Sequence, residues 1–290
     1  MSQPFAPDLA SLDQAWMRAH PLPMPGGGGK EERGSVLVVG GGLEMAGAVL
    51  LAGTAALRAG AGKLQLATVA GAVVALNVAM PEARVFALPD TDGRPSARAA
   101  EVLAEHVAGC DALLIGPGMM RDEEGMARAL LDLAPTQPMV LDAGALNAVQ
   151  DAGSRPGDLV LTPHSGEMAR LLGRDRAEIE ADPLAAAREA TKRFGAVIVM
   201  KGARTHVVGP DGAAALYAGG GVGLGVSGSG NVLGGLIVGL LARGVAPFEA
   251  AAWGVFLHGE AGARLSRSVG TLGFLAREIA AEVPAVMHRV

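Results

Sequence analysis

Seven short, mostly apolar runs recur along this chain, at Ser35–Val39, Lys63–Thr68, Arg84–Leu88, Ala112–Ile115, Met139–Asp142, Leu159–Thr162 and Ala196–Met200. Longer segments with helical spacing alternate with them: Met45–Ala59, Ser96–Val107, Glu123–Leu133, Pro183–Phe194, Val232–Ala242 and Pro247–Leu265. Runs of this length that are apolar almost throughout suit strands covered on both faces, and the alternation with helices predicts an α/β layered domain with a mainly parallel sheet. A hairpin is expected at Thr205–Val208 and Ala214–Tyr217, turning on Gly209-Pro-Asp-Gly212. Residues 1–33 read as a short amphipathic helix (Asp8–His20) and a linker after it. Residues 34–290 show neither a repeat nor a break in composition, and are expected to form one domain.

The residues just past the strands narrow the function. Five strands end in Gly40-Gly-Gly42, Gly116-Pro-Gly118, Asp142-Ala-Gly144, Thr162-Pro-His164 and Lys201-Gly-Ala203. In open parallel sheets ligands bind outside the carboxyl ends of the strands. Gly and Pro often do no more than terminate a strand, but five such ends carrying Gly, Asp, His and Lys predict one ligand-bearing rim.

Composition removes several classes of function. The formal net charge of −5 and an aromatic content of 3 % provide neither the basic face nor the stacking surface of a nucleic-acid binder. Cys110 is the single cysteine, so no intrachain disulfide and no thiolate-rich metal centre can form. It reads as a small buried residue. Gly212–Ala242 lacks any charge, yet ten of the 21 residues from Gly219 to Gly239 are glycine, which does not describe a membrane-spanning helix. No signal-peptide pattern opens the chain. The expected setting is the cytoplasm, with no membrane and no nucleic-acid partner.

Familiar fingerprints fail. Met45 stands where a dinucleotide G-x-G-x-x-G turn needs its last glycine, no P-loop is complete, and no serine is flanked as in a nucleophile elbow. The six histidines never fall at zinc-ligand spacing and read as structural, except His164, which ends a strand. The strongest local signal is Gly223-Leu-Gly-Val-Ser-Gly-Ser-Gly-Asn231, which runs straight into a helix. Glycines let backbone N–H groups converge, and the helix terminus adds about half a positive charge. The loop suits phosphate, though the same geometry could take a nucleotide or a carboxylate, and Asn231 could also be a simple N-cap.

Several segments together resemble the ADP- or ATP-dependent NAD(P)H-hydrate dehydratases. They are Gly40-Gly-Gly-Leu-Glu-Met-Ala-Gly-Ala48, Ala-Leu-Arg-Ala-Gly-Ala-Gly62, Gly116-Pro-Gly118 and Leu141-Asp-Ala-Gly-Ala-Leu-Asn147. Leu161-Thr-Pro-His-Ser-Gly-Glu-Met168, Val199-Met-Lys-Gly-Ala-Arg-Thr205, the glycine loop and Phe256-Leu-His-Gly259 continue the match in order. The resemblance implies a ribokinase-like three-layer αβα sandwich and a repair chemistry. A phosphoryl group passes from ADP or ATP to the ring hydroxyl of hydrated NADH or NADPH, and phosphate is then eliminated. Carried over residue by residue, Ala48, Gly118, His164 and Asn231 would line the damaged dinucleotide. Lys201, Gly202, Ala203, Arg204, Thr205 and Gly230 would hold the nucleotide, with Gly228, Ser229 and Gly230 as the anion hole. Asp142 and Glu167 would be direct or water-mediated partners of Mg2+. The resemblance also implies a homo-oligomer, namely a tetramer.

Two positions depart from the family pattern. The family loop ends G-T-G-D, its aspartate being the general base, whereas this chain has Gly228-Ser-Gly-Asn231. The family usually has D-A-D where this chain has Asp142-Ala-Gly144. A carboxamide has no useful basicity near neutral pH, so slow turnover is expected. The rivals are another small-molecule kinase of this fold and a non-catalytic nucleotide or dinucleotide binder.

Overall fold

The protein is described by a computed structural model covering residues 9–120, 124–134, 136–150 and 158–290. Asp8 and Glu123, at the expected starts of two helices, lie outside the described residues. The first elements are β1 (Ala10–Ser11) and α1 (Gln14–Ala19), then β2 (Ser35–Val39), α2 (Gly47–Arg58), β3 (Lys63–Val69), α3 (Val73–Ala79) and β4 (Ala83–Leu88). A two-residue hairpin, β5 (Asp90–Thr91) and β6 (Arg94–Pro95), leads to α4 (Ala99–Ala108), β7 (Ala112–Ile115), α5 (Glu124–Leu133) and β8 (Met139–Leu141). After a 3₁₀ segment at Ala143–Val149 come β9 (Leu159–Leu161), α6 (Ser165–Leu172), α7 (Arg176–Ala181), α8 (Pro183–Phe194) and β10 (Val197–Met200). The hairpin β11 (Thr205–Val208) and β12 (Ala214–Tyr217) comes next, then α9 (Ser229–Ala242), α10 (Pro247–Ser268) and α11 (Ala276–Met287).

The main sheet has the order β1-β12-β11-β10-β9-β8-β7-β2-β3-β4. Every pairing in it is parallel except those within β10-β11-β12. Alternation along β2 shows why the sheet is covered on both faces. Val36 and Val38 enter one apolar cluster with α2, α9, α10 and α11, while Leu37 and Val39 enter another with α4, α5, α6 and α8. The three layers expected from the sequence are therefore present. The amino-terminal segment contributes to the same structure: β1 extends the sheet beside β12, and Met17 of α1 is buried.

Helix α9 is apolar on all sides and central to the first layer. A Cβ on Gly235 would lie 2.1 Å from the Ala52 carbonyl oxygen, and one on Gly239 2.5 Å from that of Ala56. Two glycines one turn apart thus bring α9 backbone to backbone with α2, and fix where the amino end of α9 meets the carboxyl ends of the strands.

Candidate functional site at the carboxyl rim of the sheet

Strand order reverses between β2 and β7: the chain moves outward through β3 and β4 on one side, and through β8, β9 and β10 on the other. Such a switch point opens a crevice at the strand ends. It lies between Gly40–Gly42 and Gly116–Gly118. Gly118 has φ +71, and a Cβ there would meet the Met45 carbonyl oxygen at 2.7 Å and the Ala48 Cβ at 2.9 Å. The predicted pair Ala48 and Gly118 therefore touch, and Gly118 can carry no side chain.

Two clefts, each of about 620 Å³, extend along this rim. Gly42–Met45, the β5–β6 hairpin and Gly118 line the first. Gly144, Asn147, His164, Glu167 and Arg170 line the second, and Arg94 and Met120 border both. His164 was expected here, and it is also the N-cap of α6. Its Nδ1 accepts N–H bonds from Gly166 and Glu167 at 3.0 and 3.3 Å, so in the neutral ring the proton sits on Nε2. Burial, opposed by Glu167 and reinforced by Lys201, lowers its pKa. Glu167 completes a capping box by accepting the His164 backbone N–H at 2.8 Å.

At the ends of β8, β9 and β10 the rim carries charge. Lys201 Nζ donates to Asp142 Oδ1 at 3.0 Å and lies 3.7 Å from Glu167 Oε2. Thr162 Oγ1 donates to the same Asp142 oxygen at 2.7 Å. Burial alone would push the Asp142 carboxyl up, but the Lys201 charge and the bonds from Thr162 and Lys201 hold it below the ordinary carboxylate range. Burial likewise opposes the charge on Lys201, and the carboxylates of Asp142 and Glu167 outweigh it, raising its pKa. Lys201, expected to hold the nucleotide, is a partly buried ammonium held by two carboxylates. Ala143, next to Asp142, has φ +50, a left-handed conformation that costs a non-glycine residue of order 1 kcal/mol.

The glycine loop faces this cluster. A Cβ on Gly230 would lie 3.5 Å from Lys201 Nζ and 3.9 Å from Asp142 Oδ2. One expectation is corrected here: Asn231 does not cap α9. The helix starts three residues before the expected Val232, at Ser229, because Gly228 adopts φ +88 and turns the chain into it. Asn231 is the third helical residue, partly exposed, and its side chain makes no hydrogen bond among the described residues. The Ser229 N–H bonds to the Val226 carbonyl, which leaves the Gly230 and Asn231 N–H groups at the helix end without a backbone partner among the described residues. Gly202, Ala203 and Arg204 form an exposed turn beyond Lys201, and Thr205 Oγ1 donates to the Gly202 carbonyl at 3.3 Å.

Gly144 acquires a physical reason. A Cβ there would lie 2.2 Å from the Met120 carbonyl oxygen and 2.8 Å from that of Met119. The backbone after β7 closes onto the place where a second carboxylate would stand. Sequence reasoning missed Arg94, Met120 and Arg170, quoted Thr162 and Asn147 within motifs without giving them a role, and took His258 as structural although it reaches Ser229. Of the three missed, Arg170 had a signal, since it lies three residues beyond Glu167 on a helix that begins at a strand end.

The sequence matches the family described as NAD(P)H-hydrate dehydratase over residues 36–285. It is 48 % identical over 287 residues to the ADP-dependent (S)-NAD(P)H-hydrate dehydratase of Xanthomonas campestris pv. campestris, spanning 98 % of each chain. It is 40 % identical to the bifunctional NAD(P)H-hydrate repair enzyme of Moorella thermoacetica, covering 96 % of this chain but 54 % of that longer protein. The fold superposes on the ADP/ATP-dependent NAD(P)H-hydrate dehydratase of Bacillus subtilis, co-crystallised with ATP and Mg2+, with a TM-score of 0.83, 29 % identity and coverage of 97 % and 99 %. A ribokinase-like protein of Enterococcus faecalis superposes with a TM-score of 0.79 at 26 % identity. With the match running from β2 into α11 and including every strand end on the rim, the chain belongs to the NAD(P)H-hydrate dehydratase family, within the ribokinase-like fold.

Proposed function

We propose that the protein is a nucleotide-dependent NAD(P)H-hydrate dehydratase that uses ADP or ATP as phosphoryl donor. The observation that carries this reading is the amino end of α9. There the N–H groups of Gly230 and Asn231, unpaired among the described residues, lie at the helix end beside the partly buried Lys201, within a chain 48 % identical to an ADP-dependent dehydratase. An anion placed there meets aligned N–H groups, a helix terminus and an ammonium. Lys201 and Gly230 hold the nucleotide phosphates, with Gly202–Thr205 alongside. The hydrated dinucleotide lies along the two clefts, against Ala48, Gly118 and His164. Its ring hydroxyl attacks the terminal phosphorus and gives its proton to solvent, while the bond from that phosphorus to the bridging oxygen breaks and AMP leaves from ADP, or ADP from ATP. The new C–O–P bond then breaks at carbon as a neighbouring proton leaves, restoring the ring double bond and releasing phosphate.

Asp142 and Glu167 do not form a cage for Mg2+. Asp142 Oδ1 is engaged by Thr162 and Lys201, Glu167 Oε2 by His164 N–H, and no group of three candidate ligands occurs among the described residues. Magnesium would enter this site with the nucleotide phosphates, and Asp142 and Glu167 would reach it through water rather than as a closed set of ligands.

The test mixes the protein with Mg2+, hydrated NADH and either ADP or ATP. Restored NADH absorbance is the expected result, at a low rate. Phosphoryl transfer to a different alcohol would favour the kinase reading, and binding without turnover the non-catalytic one.

We also propose a homo-oligomer, a tetramer. Val74 and Val78, one turn apart on α3, are 76 % and 80 % exposed. Leu43, 60 % exposed, reaches Gly71 just before that helix. Apolar residues so placed suit a contact between copies. Light scattering at micromolar concentration should show a mass several times that of one chain, and a monomer would overturn the assignment. No helix among the described residues is long and apolar enough to cross a membrane. A cytoplasmic setting fits the single cysteine, Cys110, which is buried with its thiol pushed up to about 12.

A further inference from the structure

Helix α10 packs along α9 and brings His258 to the first residue of that helix. His258 Nε2 lies 3.1 Å from the Ser229 carbonyl oxygen and 2.9 Å from Ser229 Oγ. A carbonyl oxygen can only accept, so its contact requires the proton on Nε2. That nitrogen then has no lone pair to offer the hydroxyl. Ser229 Oγ can only share the same N–H as a second acceptor, and its own proton must point elsewhere. The imidazole stays neutral at pH 7: burial pushes its pKa down to about 4, the bond to the Ser229 carbonyl opposes this, and the nearby Lys201 charge adds to it.

The Ser229 N–H is already engaged by the Val226 carbonyl, so the backbone of Ser229 is not free to meet an anion. Its hydroxyl is the donor that Ser229 still has to offer at this corner, beside the Gly230 and Asn231 N–H groups and Lys201. We propose that His258 is a positioning residue that fixes Ser229 Oγ as an acceptor on its own side, so that the hydroxyl proton is donated to the nucleotide phosphates at the amino end of α9. This rests on the nucleotide-binding reading above, and assigns to that site a side-chain donor and the residue that aims it. The role needs a neutral ring with one N–H, not a proton acceptor.

Calorimetric titration of the protein with ADP or ATP in the presence of Mg2+ tests it. Ser229→Ala and His258→Leu should each weaken binding about tenfold, the usual worth of one hydrogen bond to a charged group. The double variant should bind no more weakly than either single one, because His258 acts through Ser229. His258→Gln, whose amide N–H can replace Nε2–H, should stay within about threefold of the native protein. Should His258→Leu fail to fold, His258→Asn, which withdraws the amide from Ser229, carries the same comparison. Additive losses in the double variant, or unchanged affinity in the singles, would overturn the proposal while leaving nucleotide binding intact. A native protein that binds neither nucleotide would overturn both.

Discussion

Replacing Lys201 with methionine lowers the melting temperature by about 10 °C, as well as weakening nucleotide binding. From sequence, Lys201 is a strand-end cation whose loss should weaken nucleotide binding much more than binding of the dinucleotide. The structure makes it the partly buried half of a pair whose other half is buried, with Asp142 at 4 % side-chain exposure and Lys201 at 20 %. Removing one member leaves a desolvated carboxylate, with Thr162 as its remaining side-chain donor. Breaking such a pair costs about 3–5 kcal/mol, far more than an exposed ion pair would. The companion variant Lys201→Met/Asp142→Asn removes both charges, so it should recover most of the stability and none of the affinity.

The pH dependence separates the two proteins. In the native protein the folded-state pKa of Asp142 is lowered, so its contribution is complete above the ordinary carboxylate range and is lost as pH falls through the lowered value. The raised pKa of Lys201 gives a contribution that is complete below its ordinary value and is lost as pH rises through the raised one. Without Lys201 the burial of Asp142 is unopposed by that cation. Its carboxyl then rises, and mild acid should stabilise the variant relative to neutral pH. Thermal melts by circular dichroism over roughly pH 4–8, the window in which a raised carboxyl titrates, decide this. A Lys201→Met protein that melts with the native one at every pH would mean that the pair contributes nothing.

Much of the framework was legible because it rests on local pattern. Ser35–Val39, Ala112–Ile115 and the hairpin strands Thr205–Val208 and Ala214–Tyr217 begin and end where the apolar runs do, and a glycine or a charged residue bounds the first three directly. The rim was legible too, because strand ends carry their own turn chemistry. Which ends meet could not be read. Lys201 finds Asp142 and Thr162 only because β8, β9 and β10 are neighbours, and strand order is set by the whole sheet. Helix α6 starts at Ser165, almost directly after Thr162, leaving no loop to announce it, and the strands of the β5–β6 hairpin are too short for any periodicity. Gly144 reads in sequence as a missing carboxylate. In space it is a glycine because the Met119–Met120 backbone occupies the position of its Cβ. His258 looks like one more residue of a long helix until α10 is laid against α9.

Exchanging Asn231 for aspartate raises the rate of dehydration at least tenfold, the lower part of the range for a restored general base. The family resemblance places the base at this position, and here a carboxamide occupies it. The obvious substitute is Asp142, and the structure argues against it. That carboxylate is held below the ordinary range by Lys201, accepts from Thr162 and is 3 % exposed, so it has little affinity for a proton and little access to a substrate hydroxyl. His258 does not replace it either, since its Nε2 is used as a donor. Asn231, by contrast, is partly exposed and makes no side-chain hydrogen bond among the described residues, so an aspartate there would have its lone pairs free. The new charge sits in the first turn of α9, where the helix terminus favours an anion, so folding should not suffer. Because the Gly230 and Asn231 N–H groups belong to the backbone, nucleotide affinity should change far less than the rate. Single-turnover measurements with hydrated NADH, beside calorimetry for ADP and ATP, separate the two quantities. If the native protein already turns over briskly and Asn231→Ala leaves that rate unchanged, the proton goes to another group, and the family's role for this position does not extend to this chain.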